Sequence, residues 1–313
     1  MSTGPAGERF FEGGVVLRSG SIWLSRKRLC YSAAMRPILF SIGPLEISSY
    51  PVMISLGACL AIWLTVRELD RLSLARGPYL TICLIAFAGG LIGARIMNCI
   101  VFYDLYRDQP WWKLIAVWEG GLAMYGGLFL GLTAAYGYMR LKGLSFWQVT
   151  DVLFPPWVVL LIVGRIGCFL NGCCYGEPTS APWGFYSRSA AKVSGYYVTT
   201  HPTQLYSAGA ALVIFGILWR ARLKPHFQGR TALLFLLLYP AARFVIEYYR
   251  ADPRGMWRFF GAFTLSESQI LSIPLFIAAL AAWRVLSRHA PGERPEEALR
   301  SASVAEQRAK KAG

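Results

Sequence analysis

The sequence predicts an all-α membrane protein. It is expected to have seven transmembrane helices, a small extracytoplasmic head, its N-terminus outside and its C-terminus inside. Three observations lead there. Hydrophobic residues make up 55% of the 313, mean hydropathy is +0.41, and only 16% are charged. A soluble domain carries about 25% charged residues. Seven apolar runs are each long enough to cross hydrocarbon, which takes about 20 residues. The basic residues fall between those runs and in the tails, where they suit membrane topology. A net charge of +15 would also suit nucleic acid. However, the chain has no zinc-finger spacing, RNA-binding signature or Walker loop, so nucleic acid is not an expected partner.

Residues 1–34 are rich in Gly, Ser and Arg. Their basic cluster Arg26-Lys27-Arg28 follows the apolar piece Ser21-Ile22-Trp23-Leu24, which is the wrong order for a secretory signal. They read as a disordered extension, or as sequence upstream of a start at Met35. The seven runs lie near 48–66, 79–101, 120–139, 149–170, 204–221, 231–249 and 265–283. They place a transmembrane domain at 35–285, with an external head at 170–203. Residues 286–313 form a basic cytoplasmic tail. No internal repeat is visible. One set of alternate loops, with the C-terminal tail, holds sixteen Lys and Arg residues against seven in the other set. The positive-inside rule puts the richer set in the cytoplasm. The polar segment 177–203 then lies outside.

The stretch Gly164-Arg165-Ile166-Gly167-Cys168-Phe169-Leu170-Asn171-Gly172-Cys173-Cys174-Tyr175-Gly176 organises the chain. It follows the apolar run Val152–Val163, so Arg165 stands where hydrocarbon ends. An arginine there costs several kcal/mol (roughly) unless it is paired or reaches a headgroup. The glycines, Gly176 among them, let backbone or ligand approach closely. Asn171 has no place on a lipid-facing surface. The bare residues describe a polar pocket with one fixed positive charge, and an anionic headgroup is its simplest ligand.

Further polar sets sit at the same ends of the runs. Tyr50 opens the first beside Pro51, as an interfacial anchor or as a ligand. Trp118-Glu119-Gly120-Gly121 leads to Tyr125-Gly126-Gly127. The doubled glycines suit helix packing, and Glu119 is either solvated or catalytic. His201-Pro202-Thr203-Gln204-Leu205-Tyr206 leads into the fifth run and offers a histidine as base or as surface residue. Tyr239-Pro240-Ala241-Ala242-Arg243-Phe244-Val245-Ile246-Glu247 closes the sixth. Arg243 and Glu247 are four apart and face the same way. A buried pair is weak as pure stabilisation, and intramembrane charges default to function. Arg95 is expected to snorkel to phosphate headgroups.

Seven cysteines are scattered along the chain. Cys59, Cys83 and Cys99 suit packing as small hydrophobes. Cys168, Cys173 and Cys174 form the one cluster. Their C-x4-C-C spacing matches no zinc pattern, so neither a metal nor a cofactor is expected. A Cys168–Cys173 disulfide and simple packing both stay open.

These motifs, in this order, resemble the bacterial prolipoprotein diacylglyceryl transferases over roughly residues 35–285. Gly164, Arg165, Gly167, Phe169, Asn171 and Gly176 match the family's core motif. Tyr50, the Trp118–Gly121 turn, His201-Pro202-x-Gln204-Leu205-Tyr206 and Tyr239-x-x-x-Arg243-Phe244-x-x-Glu247-x-x-Arg250 match further patterns. Asp252, Arg254 and Gly255 look like the closing motif. Cys168 and Cys173 replace the usual Asn and Glu, Ser207 stands where Glu is common, and Tyr125 stands where many members carry histidine.

The resemblance implies transfer of diacylglyceryl from phosphatidylglycerol to the lipobox cysteine of a prolipoprotein signal peptide, at the periplasmic face of the inner membrane. A thioether forms and glycerol phosphate leaves. Arg165 and Arg243 would grip the phosphate. Asn171, Tyr50 and Tyr239 would orient the headgroup, with Gly176 and Glu119 beside it, and Glu247 would hold Arg243. His201 leads as base, before Tyr125 and Glu119. The competing readings are a family paralogue with another thiol acceptor or lipid, a thiol oxidoreductase, and a transporter. Transporters show internal repeats, which are missing here.

Overall fold

The computed structural model describes residues 35–42, 45–117, 121–187, 190, 198–224, 227–251, 256–259 and 263–289. The extension at 1–34, Glu119, the motif Asp252–Gly255 and tail residues 290–313 lie outside them. Each apolar run folds as one long helix. These are α1 (Ser49–Arg71), α2 (Arg76–Val101), α3 (Met124–Leu141), α4 (Phe146–Asn171), α5 (Thr203–Ala221), α6 (Arg230–Glu247) and α7 (Glu267–His289). Among the described residues, five are long and apolar enough to cross a membrane, namely α1, α2, α4, α5 and α7. The protein is thus a helical membrane protein. The last helix runs past the expected boundary at 285, to His289.

The bundle is all-helical, as expected. Among the described residues, three short antiparallel strand pairs decorate it: β1 (Ile38–Ile42) with β2 (Leu45–Ser48), β3 (Phe185–Tyr186) with β4 (Thr199–Thr200), and β5 (Met256–Phe259) with β6 (Phe263–Ser266). β2 runs into α1 and β6 into α7. Strands this short carry too little alternation to be told from loop by pattern alone.

Helix ends follow local chemistry. α3 stops at Gly143, whose φ of +66° suits a residue without Cβ, and Leu144 N–H returns to the Met139 carbonyl at 2.9 Å. That is the six-to-one bond of a glycine-capped helix end. α4 carries Pro155 and Pro156 in its interior. Neither ring can donate a helix hydrogen bond, yet both are buried and the helix continues through them.

Two buried clusters knit the bundle. Leu69, Tyr79, Ile82, Met139 and Val149 join α1–α4, while Val158, Ile214 and Leu218 join α4 and α5 beneath Phe235 and Tyr239 of α6. Outward faces remain apolar, with Leu84, Phe129 and Val213 exposed, as a hydrocarbon solvent requires. α1 and α4 pack antiparallel. Gly57 meets Leu160 and Val163, Gly164 meets Ile54, and Gly167 meets Met53 and Tyr50. This brings the start of α1 to the end of α4, where Arg165 lies.

Candidate functional site

The site begins with helical spacing at the end of α4. Arg165, Cys168 and Asn171 are three apart, so they follow one another along a face. Gly172, at φ +78°, then ends the helix. The chain folds back, and Cys173 Sγ donates to the Cys168 carbonyl at 3.7 Å. Cys173 also bonds Asn171. The sulfurs of Cys168, Cys173 and Cys174 all lie within 4.8 Å of one another, and each is a free thiol. Folding thus gathers residues whose spacing predicted no metal site. Hydrogen bonds from Cys168 and then Cys173, with Arg250 and Arg165 nearby, hold the Cys174 thiol below the ordinary thiol range.

α6 supplies the opposite wall. Arg165 donates to the Tyr239 hydroxyl. One turn on, Arg243 lies within electrostatic reach of Arg165, Tyr239 and Arg250. Arg243 Nη2 pairs with Glu247 Oε2 at 2.9 Å and donates to Ser268 Oγ at 3.0 Å. Ser268 comes from the first turn of α7 and was missed by sequence reasoning. A lone serine at a helix start carries no signal of a distant partner. Arg243 Nη1 is buried without a hydrogen-bond partner. Two arginines within electrostatic reach repel unless an anion joins them.

The backbone of the head completes the frame. Gly176 N–H donates to the His201 carbonyl at 3.0 Å, and His201 N–H to the Glu177 carbonyl at 3.0 Å. Glu177 N–H meets the Tyr249 carbonyl at 2.8 Å. A Cβ at Gly176 would collide with the Tyr249 carbonyl and with His201, so only glycine fits. His201 Nδ1 shares a 3.0 Å hydrogen bond with the Tyr206 hydroxyl, which also accepts from Trp183 Nε1 at 2.7 Å. The His201 and Tyr206 rings each pack edge-on against Tyr249.

Other expected residues fall differently. Tyr50 touches Gly167 yet is 41% exposed; Tyr125 is 43% exposed and lies within electrostatic reach of Glu267, Arg243 and Glu247. Arg95 does not snorkel. It is buried, and its guanidinium donates to the carbonyls of Leu114 at 3.0 Å and Gly121 at 3.1 Å, and to that of Lys113. Those carbonyls satisfy the charge without lipid, so Arg95 clasps the α2–α3 loop. The structure therefore brings together Arg165, Tyr239, Arg243, Glu247 and the cysteines, with Tyr50 and Asn171 adjoining.

Fold and site define a helical membrane protein with two clustered guanidinium groups beside a thiol-rich, glycine-bounded turn. The prolipoprotein diacylglyceryl transferase family model matches residues 37–285. A relative from Pseudoalteromonas atlantica is 35% identical over 256 residues, covering 80% of this chain and 89% of its own. One from Vibrio vulnificus is 36% identical over 261 residues (81% and 93%), and one from Clostridium tetani 32% over 253 (80% and 98%). All three are named phosphatidylglycerol–prolipoprotein diacylglyceryl transferase. The chain belongs to the prolipoprotein diacylglyceryl transferase family.

Proposed function

We infer that this protein transfers the diacylglyceryl group of phosphatidylglycerol to a prolipoprotein thiol, the first step of lipoprotein maturation. The acceptor is the lipobox cysteine of the signal peptide. The observation that carries the reading is that Arg165 and Arg243 lie within electrostatic reach of each other, with Arg243 Nη1 buried and unpartnered.

The chemistry follows from the groups. A thiol loses its proton and the sulfur attacks the glyceryl carbon that bears the phosphate ester. The C–S bond forms as the C–O bond breaks, and the electron pair leaves with glycerol phosphate. Positive charge on that phosphate lowers the barrier because charge grows there in the transition state. Guanidinium groups suit the task, since each grips two oxygens and never loses its charge. Tyr239 orients Arg165, while Glu247 and Ser268 orient Arg243. Asn171 and Tyr50 flank the headgroup, and Gly176 lets the turn beside it close against Tyr249 and His201. His201, oriented by Tyr206, is the base that takes the thiol proton, ahead of Tyr125 and Glu119.

Topology belongs to the same reading. Seven spans, with the N-terminus outside and the C-terminus inside, put the ends of α4 and α6 and the 170–203 head at the periplasmic face of the inner membrane. Residues 35–285 are the catalytic unit, and 286–313 the cytoplasmic tail.

The test is complementation of cells depleted of their own transferase, with expression from Met35 and a reporter lipoprotein followed by mass. A diacylglyceryl gain is expected. Arg165→Ala and Arg243→Ala should each lower it by about 10²–10³-fold, the range for losing one transition-state donor. Full transfer by both variants, or no gain from well-expressed wild type, would overturn the reading.

A further inference from the structure

The thiols of Cys168, Cys173 and Cys174 have no task in the mechanism above. Their sulfurs, all within 4.8 Å of one another, form a near-ready ligand set. Tetrahedral zinc with bonds of about 2.3 Å sets its sulfurs about 3.8 Å apart, so closure needs about 1 Å.

The loop that presents them is held under strain. Cys174 adopts φ +60°, a conformation costly to a residue with a Cβ. Thr203 Oγ1 donates to the Cys174 carbonyl at 2.7 Å, and Gln204 Nε2 to the Cys173 carbonyl at 2.6 Å. Both Thr203 and Gln204 are buried. The first turn of α5 thus fixes both carbonyls of the Cys-Cys pair.

We propose that Cys168, Cys173 and Cys174 form a three-thiolate zinc site whose fourth position takes the acceptor thiol. The first half stands on the cluster alone; the second rests on the transferase reading. Three thiolates with a divalent zinc ion leave one negative charge. Arg165 lies within electrostatic reach of Cys168 and Cys174, and Arg250 of Cys174, so that charge is met. Monovalent copper would leave two negative charges and is satisfied by three sulfurs. Zinc takes four ligands, and three protein ligands leave one position for a reactant.

A thiol entering that position is deprotonated on binding, and its proton passes to His201, beside the same loop. The sulfur then attacks the glyceryl carbon, the C–O bond breaks, and glycerol phosphate leaves with the electron pair against Arg165. No oxidant or reductant is needed.

The full chain, purified in mild detergent without chelator, is assayed for zinc and copper beside Cys173→Ser and Cys174→Ser. One zinc per chain is expected in wild type, and occupancy at least about tenfold lower in each variant. Elution of the variants at the wild-type volume separates lost metal from lost fold. After replacement of zinc by cobalt, the sulfur-to-cobalt absorption should grow when a lipobox peptide is added, and not with its serine analogue. Equal zinc in wild type and variants overturns the site. So does an intact mass two hydrogens short, which marks a disulfide. Copper without zinc overturns the choice of ion and the open position with it. A cobalt spectrum indifferent to the peptide overturns the acceptor role. Zinc in a protein that fails complementation leaves the site standing and removes the transferase reading instead.

Discussion

Asp151 shows how much one carboxylate can organise. From the second turn of α4 it accepts from the backbone N–H groups of Gly229, Thr231 and Ala232, at 2.6, 2.8 and 3.2 Å. It caps α6 from another helix, and its charge meets the positive end of the α6 dipole. Asp151→Ala leaves those donors unmet and should cost about 1–2 kcal/mol. A lower midpoint of thermal unfolding in detergent would show it, and an unchanged midpoint would mean that water replaces the carboxylate. Glu68 is a second such residue, since it pairs with Arg71 at 2.7 Å and with Arg222. Neither the Asp151 cap nor the Glu68–Arg222 pair was legible in the sequence, because about 80 and 150 residues separate the partners and periodicity reads only local neighbours. The Arg243–Glu247 pair was legible because it spans one turn. Arg95 was misread for the same reason as Asp151, since its acceptors are carbonyls of a loop with no motif.

Glycines let the backbones of α2 and α3 approach closely. A Cβ at Gly93 would overlap the Gly126 carbonyl, and one at Gly126 would overlap Met97 and the Gly93 carbonyl. Apolar side chains gain little by leaving lipid for a helix interface, so close backbone packing is a main source of attraction there. Gly126→Val should force the helices apart and sharply reduce the yield of folded protein. Gly137→Ala, also in α3 but with nothing within 4 Å, should stabilise by about 0.5–1 kcal/mol. Size-exclusion profiles and thermal midpoints of the two variants give the comparison; equal behaviour would remove the packing argument. The doubled glycines at 126 and 127 signalled this contact in the sequence, as did the long apolar runs their helices. The strand pairs gave no such signal. β1 and β2 together span fewer than a dozen residues, and β3 and β4 are brought together only by tertiary contacts.

For the whole molecule, the decisive property is the uneven spread of basic residues. On the proposed topology, the loop near Ser73, between α1 and α2, faces the cytoplasm, while Ser180 of the head faces outward. Both residues are exposed. A membrane-impermeant thiol reagent applied to intact cells should label Ser180→Cys above the wild-type background and leave Ser73→Cys unlabelled until lysis. The reverse pattern would invert the topology. Much of the candidate site was legible at this scale too, because its motifs all fall at alternate ends of the runs. Which of them touch was not legible, since that depends on how the helices are arranged around α4.

The lacing of the head also bears on the order in which the protein is made. The turn at 173–177 is held by segment 199–206 through His201, Thr203 and Gln204, and by Tyr249, while Gly176 forms a bridge with Arg250. A nascent chain that has inserted only its first four helices carries Arg165 and the cysteines, packed against α1, but none of the partners that lace the 173–177 turn. That lacing is complete only once synthesis has passed residue 250. Until then the ribosome holds a chain whose head turn is still unlaced.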